Sequence, residues 1–497
     1  MGAEIHEATW SNQERLRYRE KVRTDLDVFE QMLATHSFDA ELPTTGLEME
    51  ITLVDAGMRP SRTNAAVLAN LDDTAYVPEL GTFNIEVNVD PQVFAGDEAF
   101  ALERTLSDRL DQVRAAGQPV QARPAPIGIV PTLTSEDFAP GWMSQSTRYQ
   151  ALNDAIMRAR GEDILIDIEG PSGERLELYS DTIAPEAACT SLQLHLQVAP
   201  RRFARAWNAA QAIAGPQVAL AANGPFFCGR SLWHETRVEL FKQATDTRSI
   251  ELANQGVRPR VYFGDRWITS IFDLFEDNVS YYPALLPETT DEDPVAVLET
   301  GAAPQLSELM LHNGTIYRWN RPIYDTAGGV PHLRVENRVL PSGPTPVDMV
   351  ANAAFYYGLV AMLAEERRPV WSQMSFSAAE SNFRAGAREG ISARMYWPGY
   401  ATVTVEELTL RHLLPIAHQG LDARGVSARA VDHYLGVIEG RCLRRQNGAS
   451  WQIDAVRRYE DRGLGRAEAL RQMLAVYLDH VESNEPVHTW QLPRSRS

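Results

Sequence analysis

Thr45-Gly46-Leu47-Glu48-Met49-Glu50-Ile51-Thr52-Leu53 alternates as a half-buried β-strand does, and Pro78-Glu79-Leu80-Gly81-Thr82-Phe83-Asn84-Ile85-Glu86-Val87-Asn88-Val89 repeats the device. Successive side chains of a strand point to opposite faces. Glu48 and Glu50 therefore share a face, as do Glu86, Asn88 and Asp90, while Leu47, Met49, Ile51 and Leu53 and then Ile85, Val87 and Val89 turn the other way. With Glu79 just ahead of the second strand, four carboxylates gather with no Lys beside them. Such groups repel one another unless a positive charge sits among them, and a hard divalent cation such as Mg2+, with its oxygen ligands, is the usual answer.

Two further segments carry polar faces. Cys189-Thr190-Ser191-Leu192-Gln193-Leu194-His195-Leu196-Gln197-Val198 alternates strictly from Ser191, with Gln193, His195 and Gln197 on one side. Gln193 suits a neutral ligand, and His195 reads as a hydrogen-bonded neighbour of the ligands. Arg334-Val335-Glu336-Asn337-Arg338 places Arg334, Glu336 and Arg338 together. A plain cross-strand ion pair would be worth little if exposed; a carboxylate ligand flanked by guanidinium groups suits metal and phosphate together. Alternation alone does not separate a sheet with one wetted face from a sheet whose polar face is an active site. The predominance of oxygen ligands favours the second reading.

Arg237, Lys242, Arg248, Arg318 and Arg321 lie in an aromatic, loop-rich half of the chain, the last two within Asn313-Gly314-Thr315-Ile316-Tyr317-Arg318-Trp319-Asn320-Arg321-Pro322. That concentration in an acidic protein points to an anionic ligand. Taken singly, each Arg has a structural reading as well. The formal charge of -19 argues against nucleic acid or an anionic membrane as the main partner. Three cysteines (Cys189, Cys228, Cys442) give neither a disulfide framework nor a zinc spacing, and Cys189 reads as a buried structural thiol. The polar stretch Met1 to Thr24 carries no secretion signal and no apolar run approaches membrane-spanning length, so a reducing cytoplasm is expected. There is no Gly-x-x-x-x-Gly-Lys-Ser/Thr loop, Gly-x-Gly-x-x-Gly fingerprint, Gly-x-Ser-x-Gly elbow or His-Glu-x-x-His helix. A bound nucleotide would have its phosphates held by Mg2+ and Arg.

At 497 residues, 44% of them apolar, the chain can bury a large core, and size alone suggests two or three domains. Ser11-Asn12-Gln13-Glu14 is a capping box opening a helix that ends near His36, with Leu16, Val22, Leu26, Phe29 and Leu33 as its apolar positions. Further helices are expected over Asn64–Asn70, Asp97–Ala116, Gln145–Arg160, Arg201–Ala214 (stopped by Gly215-Pro216) and Val347–Ala364, and then over Leu408–Ala417, Ala428–Ile438 and Ala467–Val481. Ile127–Val130 reads as a short strand, and Ile164–Ile168 with Arg175–Tyr179 as a hairpin. The acidic run Glu288–Asp293 reads as a solvated loop.

Glu48-x-Glu50, Glu79 with Glu86, Cys189-Thr190-Ser191-Leu192-Gln193, Arg334-Val335-Glu336-Asn337-Arg338 before a long helix, and Glu380-Ser381-Asn382-Phe383-Arg384-Ala385-Gly386-Ala387-Arg388, in this order, resemble glutamate–cysteine ligase, in its bacterial carboxylate–amine ligase branch. The resemblance covers roughly residues 44–400. It implies an α+β fold like that of glutamine synthetase: a curved, mainly antiparallel sheet holding ATP and two or three Mg2+ (or Mn2+) on its concave face, with helices outside. The catalytic domain would be residues 1–400, and 401–497 a helical region packed on it.

Carried over, Glu48, Glu50, Glu79, Glu86, Gln193 and Glu336 would be metal ligands and Arg338 would contact the transferred phosphate, with Arg334, Arg384 and Arg388 as weaker candidates. Arg318, Arg321, Arg237 and Lys242 join Arg384 and Arg388 as expected nucleotide contacts. The Leu-Gln-Leu-His-Leu-Gln run and the Asn between Glu336 and Arg338 depart from the better-known members. The implied reaction joins the side-chain carboxylate of glutamate to an amine, by default that of cysteine, through an acyl phosphate. The partners are then small molecules, with a homo-oligomer left open. Three alternatives stay open: a ligase or phosphotransferase of the same fold with another acceptor, a non-catalytic nucleotide-binding relative and, least favoured by the sparse His residues, a metal-dependent amidohydrolase.

Overall fold

In the computed structural model, which describes residues 5, 9–35, 38–39 and 43–493, the four polar strands lie in one sheet. Its members are β1 (Thr45–Val54), β2 (Tyr76–Pro78), β3 (Asn84–Gln92), β4 (Arg123–Ala125), β5 (Ser191–Gln197), β6 (Asn320–Asp325) and β7 (His332–Pro341). The order is β6-β7-β5-β1-β3-β2, all pairs antiparallel, with β4 on the C-terminal end of β1. This is the α+β, antiparallel architecture expected from the alternation.

The apolar face closes the core. Met49, Ile51, Leu192, Leu194, Val335 and Val339 are fully buried, and each side chain of this size contributes about 1.5–3 kcal/mol on burial. The Pro200–Ala221 and Pro346–Leu363 helices pack behind the sheet. Asn337 points into this layer, where its amide donates to Asn320 Oδ1 (2.8 Å) and accepts from Gln217 Nε2 (2.8 Å). Gln211 Oε1 accepts from Asn320 in turn (2.6 Å). The Asn between Glu336 and Arg338 thus belongs to a buried amide ladder whose polar atoms satisfy one another.

Two register features shape the polar face. β1 pairs with β5 from Thr45 to Met49 and with β4 from Thr52 to Val54. At this changeover the Ser191 N–H donates to the Glu50 carboxylate (2.5 Å). In β7 the register slips between Asn337, opposite Leu194, and Leu340, opposite Leu192, so Arg338 and Val339 together face Gln193. This is a β-bulge, a device that re-aims side chains and bends a strand.

Several elements differ from expectation. The Pro200–Ala221 helix runs through Gly215-Pro216. An interior proline costs about 3 kcal/mol, but this helix is buried on nearly every side and is crossed at Gly215 by the Phe376–Glu389 helix. A Cβ on Gly215 would stand 2.7 Å from the Asn382 carbonyl carbon. Ile127–Val130 is core but not strand: Pro126 and Pro131, which lack the ladder donor, flank it, and the Gly128 N–H and C=O are taken by Asn223 and Thr190. Leu16 is 54% exposed, although the capping box of Ser11 and Glu14 forms and the helix spans Asn12–Thr35.

The Gly448–Asp461 helix was not expected. Its box uses Asn447 and Ser450 in place of the Ser/Thr and Glu/Gln signal. It packs with the Arg466–Ser483 helix in a second core that includes Val54, Ile127 and Val130. The loop-rich stretch between Val257 and Pro346 also contains helices, among them Phe272–Tyr281 and Ser307–Asn313. Pro346–Leu363 is, contrary to the reading of the sequence, long and apolar enough to cross a membrane by length and composition; 89% of it is buried in the fold, as a core helix is.

Candidate active site

Register brings the acidic residues together. Glu50 lies directly opposite Glu86 across β1 and β3, and Glu79 follows β2, whose Pro78 pairs with Ile85. Carboxylate oxygens of Glu50, Glu79 and Glu86 all lie within 4.8 Å of one another. Gln193 Nε2 donates to Glu50 Oε1 (2.9 Å) and Asn88 Nδ2 to Glu86 Oε1 (3.0 Å), which fixes both rotamers. Burial raises all three proton affinities. Glu50 is pushed up to about 7 by burial, with Arg338 opposing and Glu86 adding to the shift. Burial and then the charges of Glu86 and Glu50 drive Glu79 well above the carboxylate range, and burial with the Glu48 charge raises Glu86.

The neighbouring end of the same face is balanced. Arg321 forks onto Glu336 Oε2 through Nε (2.9 Å) and Nη2 (2.7 Å). The bulge residue Arg338 donates through Nη1 to Glu336 Oε1 (2.5 Å) and Gln193 Oε1 (2.8 Å). Burial opposes the ionised form of Glu336, but the guanidinium groups of Arg321 and Arg338 prevail and hold it below the carboxylate range. Glu48 is likewise kept low against burial by His195, whose Nε2 stands 3.0 Å from Glu48 Oε1 at ion-pair distance without hydrogen-bond alignment. His195, expected as a hydrogen-bonded neighbour of the ligands, thus lies beside Glu48 without a hydrogen bond to it.

Both ends open into one cavity of about 510 Å³ lined by Glu48, Glu50, Glu79, Glu86, Gln193, Arg321 and Arg338. Arg148, Tyr149, Glu186 and Tyr317 also line it, and the sequence reading missed all four. Arg148 and Tyr149 open the Thr147–Arg160 helix and Glu186 sits in the short 3-10 turn Ala184–Ala188, where no alternation marks the inward residue. Cys189 lines the cavity half-buried, not as a fully buried thiol, and burial pushes it well above the usual thiol range.

The remaining cations lie elsewhere. Arg318 is buried over the Tyr262 ring and donates to Asn278 Oδ1 (3.0 Å); Arg237 is buried against Glu235 (2.8 Å). These two reach a small side chamber that adjoins the cavity. Arg334 pairs with Asp325 (3.1 Å), Lys242 with Glu239 (3.3 Å) and Arg388 with Glu389 (3.7 Å), while Arg384 lies over Trp233. None of these four lines the cavity.

The donor set can hold a hard divalent cation. It consists of carboxylate and amide oxygens, Glu50, Glu86 and Gln193 are buried, and burial together with neighbouring carboxylates drives Glu50, Glu79 and Glu86 toward protonation, a condition a bound cation relieves. Oxygen donors suit Mg2+ or Mn2+.

The fold has known counterparts. A glutamate–cysteine ligase from Francisella tularensis, whose crystal structure contains AMP, superposes with a TM-score of 0.53 at 12% identity over 92% of this chain and 91% of that one. A bifunctional glutathione synthetase from Pasteurella multocida gives 0.50 at 11% identity over 92% of this chain and 54% of its own length. No curated protein matches the sequence. The model of the family described as glutamate-cysteine ligase family 2 matches residues 44–486, the whole sheet and nearly all of the helices around it. The chain belongs to that family and is an ATP-dependent carboxylate–amine ligase.

Proposed function

We propose that this ligase joins the side-chain carboxylate of glutamate to an amine, by default that of cysteine, through an acyl phosphate. The observation that carries the reading is one cavity in which three mutually repelling carboxylates adjoin Arg321 and Arg338, the two guanidinium groups that grip Glu336 behind the cavity wall. Glu50, Glu79 and Glu86 would hold a metal ion, with Glu48, Gln193 and Glu336 completing the ligands for two or three. Mg2+, or Mn2+ in its place, supplies charge neutralisation at the ATP phosphate oxygens when bound.

A glutamate side-chain oxygen attacks the terminal phosphorus of ATP as the bond from phosphorus to ADP breaks. The amine lone pair then forms the C–N bond, the C–O bond to phosphate breaks with its electron pair, and the nitrogen sheds the protons an amide does not keep. Arg338 and Arg321 face the transferred phosphate. Glu336 and Gln193 already hold Arg338 in place, so it stabilises developing charge without reorganising. The rest of the task is positioning. Residues 1–400 are the catalytic region in this reading, with helices of 401–497 packed against the Pro346–Leu363 helix, and the compartment is the cytoplasm.

Incubation with ATP, Mg2+, glutamate and pooled amines, with products read by mass spectrometry, is expected to give a γ-glutamyl amide and ADP. ADP release only with another acid would favour the different-acceptor reading. Mg-ATP binding with no turnover on any acceptor would favour a non-catalytic relative.

A further inference from the structure

The Glu186 carboxyl has no part in that reading. Its turn is fixed by the Glu186 N–H donating to Ile183 O (2.9 Å) and the Cys189 N–H donating to Glu186 O (2.9 Å). The side chain stands where the main cavity meets the side chamber, a space of about 30 Å³ walled in part by Phe241, Tyr317 and Trp319. Glu50 and Arg338 line both spaces, so the chamber opens beside the groups that would surround the reacting carboxylate and phosphate.

Glu186 Oε2 is buried and makes no hydrogen bond. A buried carboxylate oxygen left so is costly unless a ligand supplies its partner. The chamber's other charges are engaged: Glu50 by the Ser191 N–H and Gln193, Arg237 by Glu235, Arg318 by Asn278 and Asp277 (4.0 Å), and Arg338 by Glu336 and Gln193. What remains is one carboxylate, aromatic walls and room for a small group. The aromatic walls and the unpartnered Glu186 oxygen favour a cation. Burial pushes the Glu186 carboxyl up to about 8, with Glu50 adding to it and Arg338 opposing, as fits an acid whose counter-ion arrives with the substrate.

We propose that Glu186 holds the ammonium group of the acceptor amine at the mouth of this chamber and so selects primary amines as second substrates. The inference rests on the ligase reading above. The acceptor nitrogen is favoured over the α-ammonium of glutamate because it must reach the acyl carbon, whereas the α-nitrogen is separated from that carbon by the length of the donor.

Hydroxylamine separates the possibilities, since near neutral pH it is an uncharged nucleophile while cysteine and ethylamine are ammonium ions. In Glu186→Gln, kcat/KM for cysteine and ethylamine should fall about 30-fold or more. Hydroxamate formation from hydroxylamine should fall less than about threefold, with KM for glutamate and the rise in Tm on adding Mg2+ as in the wild type. Equal loss with charged and uncharged nucleophiles overturns the assignment, as does a rise in the glutamate KM (a donor site) or a lost Mg2+ response (a metal ligand). If Glu186→Gln does not fold, Glu186→Asp is used, with a raised KM for ethylamine alone expected and an unchanged one contradicting the proposal. Wild-type protein that forms no hydroxamate from glutamate, ATP and hydroxylamine overturns the ligase reading itself, and this role with it.

Discussion

Glu336 and Glu86 occupy the same polar face of one sheet, both nearly inaccessible to solvent, yet their surroundings have opposite sign. Glu336 is gripped by two guanidinium groups, whereas Glu86 faces Glu50 and Glu79 and has one amide donor. A buried carboxylate with internal partners is already neutralised by the protein; one surrounded by its own kind needs a ligand to neutralise it.

The comparison is broken most severely through turnover. Replacing Glu86 or Glu50 by Gln should lower kcat by about 10³-fold or more with the fold intact by circular dichroism, the size expected when an electrostatic element of the transition state is lost. Retained ligation by purified Glu86→Gln protein would falsify the metal assignment. The same exchange at the balanced end acts on the fold: Glu336→Gln should destabilise by about 3 kcal/mol in urea titrations, because Arg321 and Arg338 lose their buried counter-charge. At the acidic end the sign reverses, and metal-free Glu79→Gln should be more stable than wild type by about 1 to 2 kcal/mol at mildly alkaline pH, through relief of repulsion.

Acid dependence carries the contrast further. Glu50, Glu79 and Glu86 bind protons more tightly folded than unfolded. Metal-free stability should therefore decrease as pH rises from the ordinary carboxylate range through about 7, by at most about 1.4 kcal/mol per unit for each titrating group. Mg2+ should flatten that slope by taking the protons' place. Glu336 works the other way, its contribution present above the ordinary carboxylate range and lost only in acid. The smallest effect is expected outside the cavity: Arg388→Ala should change KM for ATP less than about threefold, and a larger change would extend the nucleotide site toward the Phe376–Glu389 helix.

The sheet and its polar face were legible because strand alternation is local: Leu-Gln-Leu-His-Leu and Leu-Glu-Met-Glu-Ile state which side chains share a side, and pairing only had to align them. What lay beyond reach was long-range. Arg148, Tyr149 and Tyr317 enter the cavity from across it, Glu186 from a turn with no period, and none is announced by its neighbours in sequence. Arg334 shares a face with Glu336 but meets Asp325 first. Gly215-Pro216 looked like a stop because the cost of an interior proline is local, while the packing that offsets it comes from residues as distant as Asn382.

The bulge opposite Gln193 carries a last consequence. On one side of it the even-numbered residues Arg334, Glu336 and Arg338 take the polar face, and on the other Leu340 faces the core opposite Leu192. The strand is thus written in two reading frames joined at Arg338-Val339. Losing one residue at that joint would fuse the frames and send either Arg338 or the core leucine to the wrong side. Length is therefore as strictly constrained here as residue identity, and relatives that vary freely in side chain around this point should still keep its count.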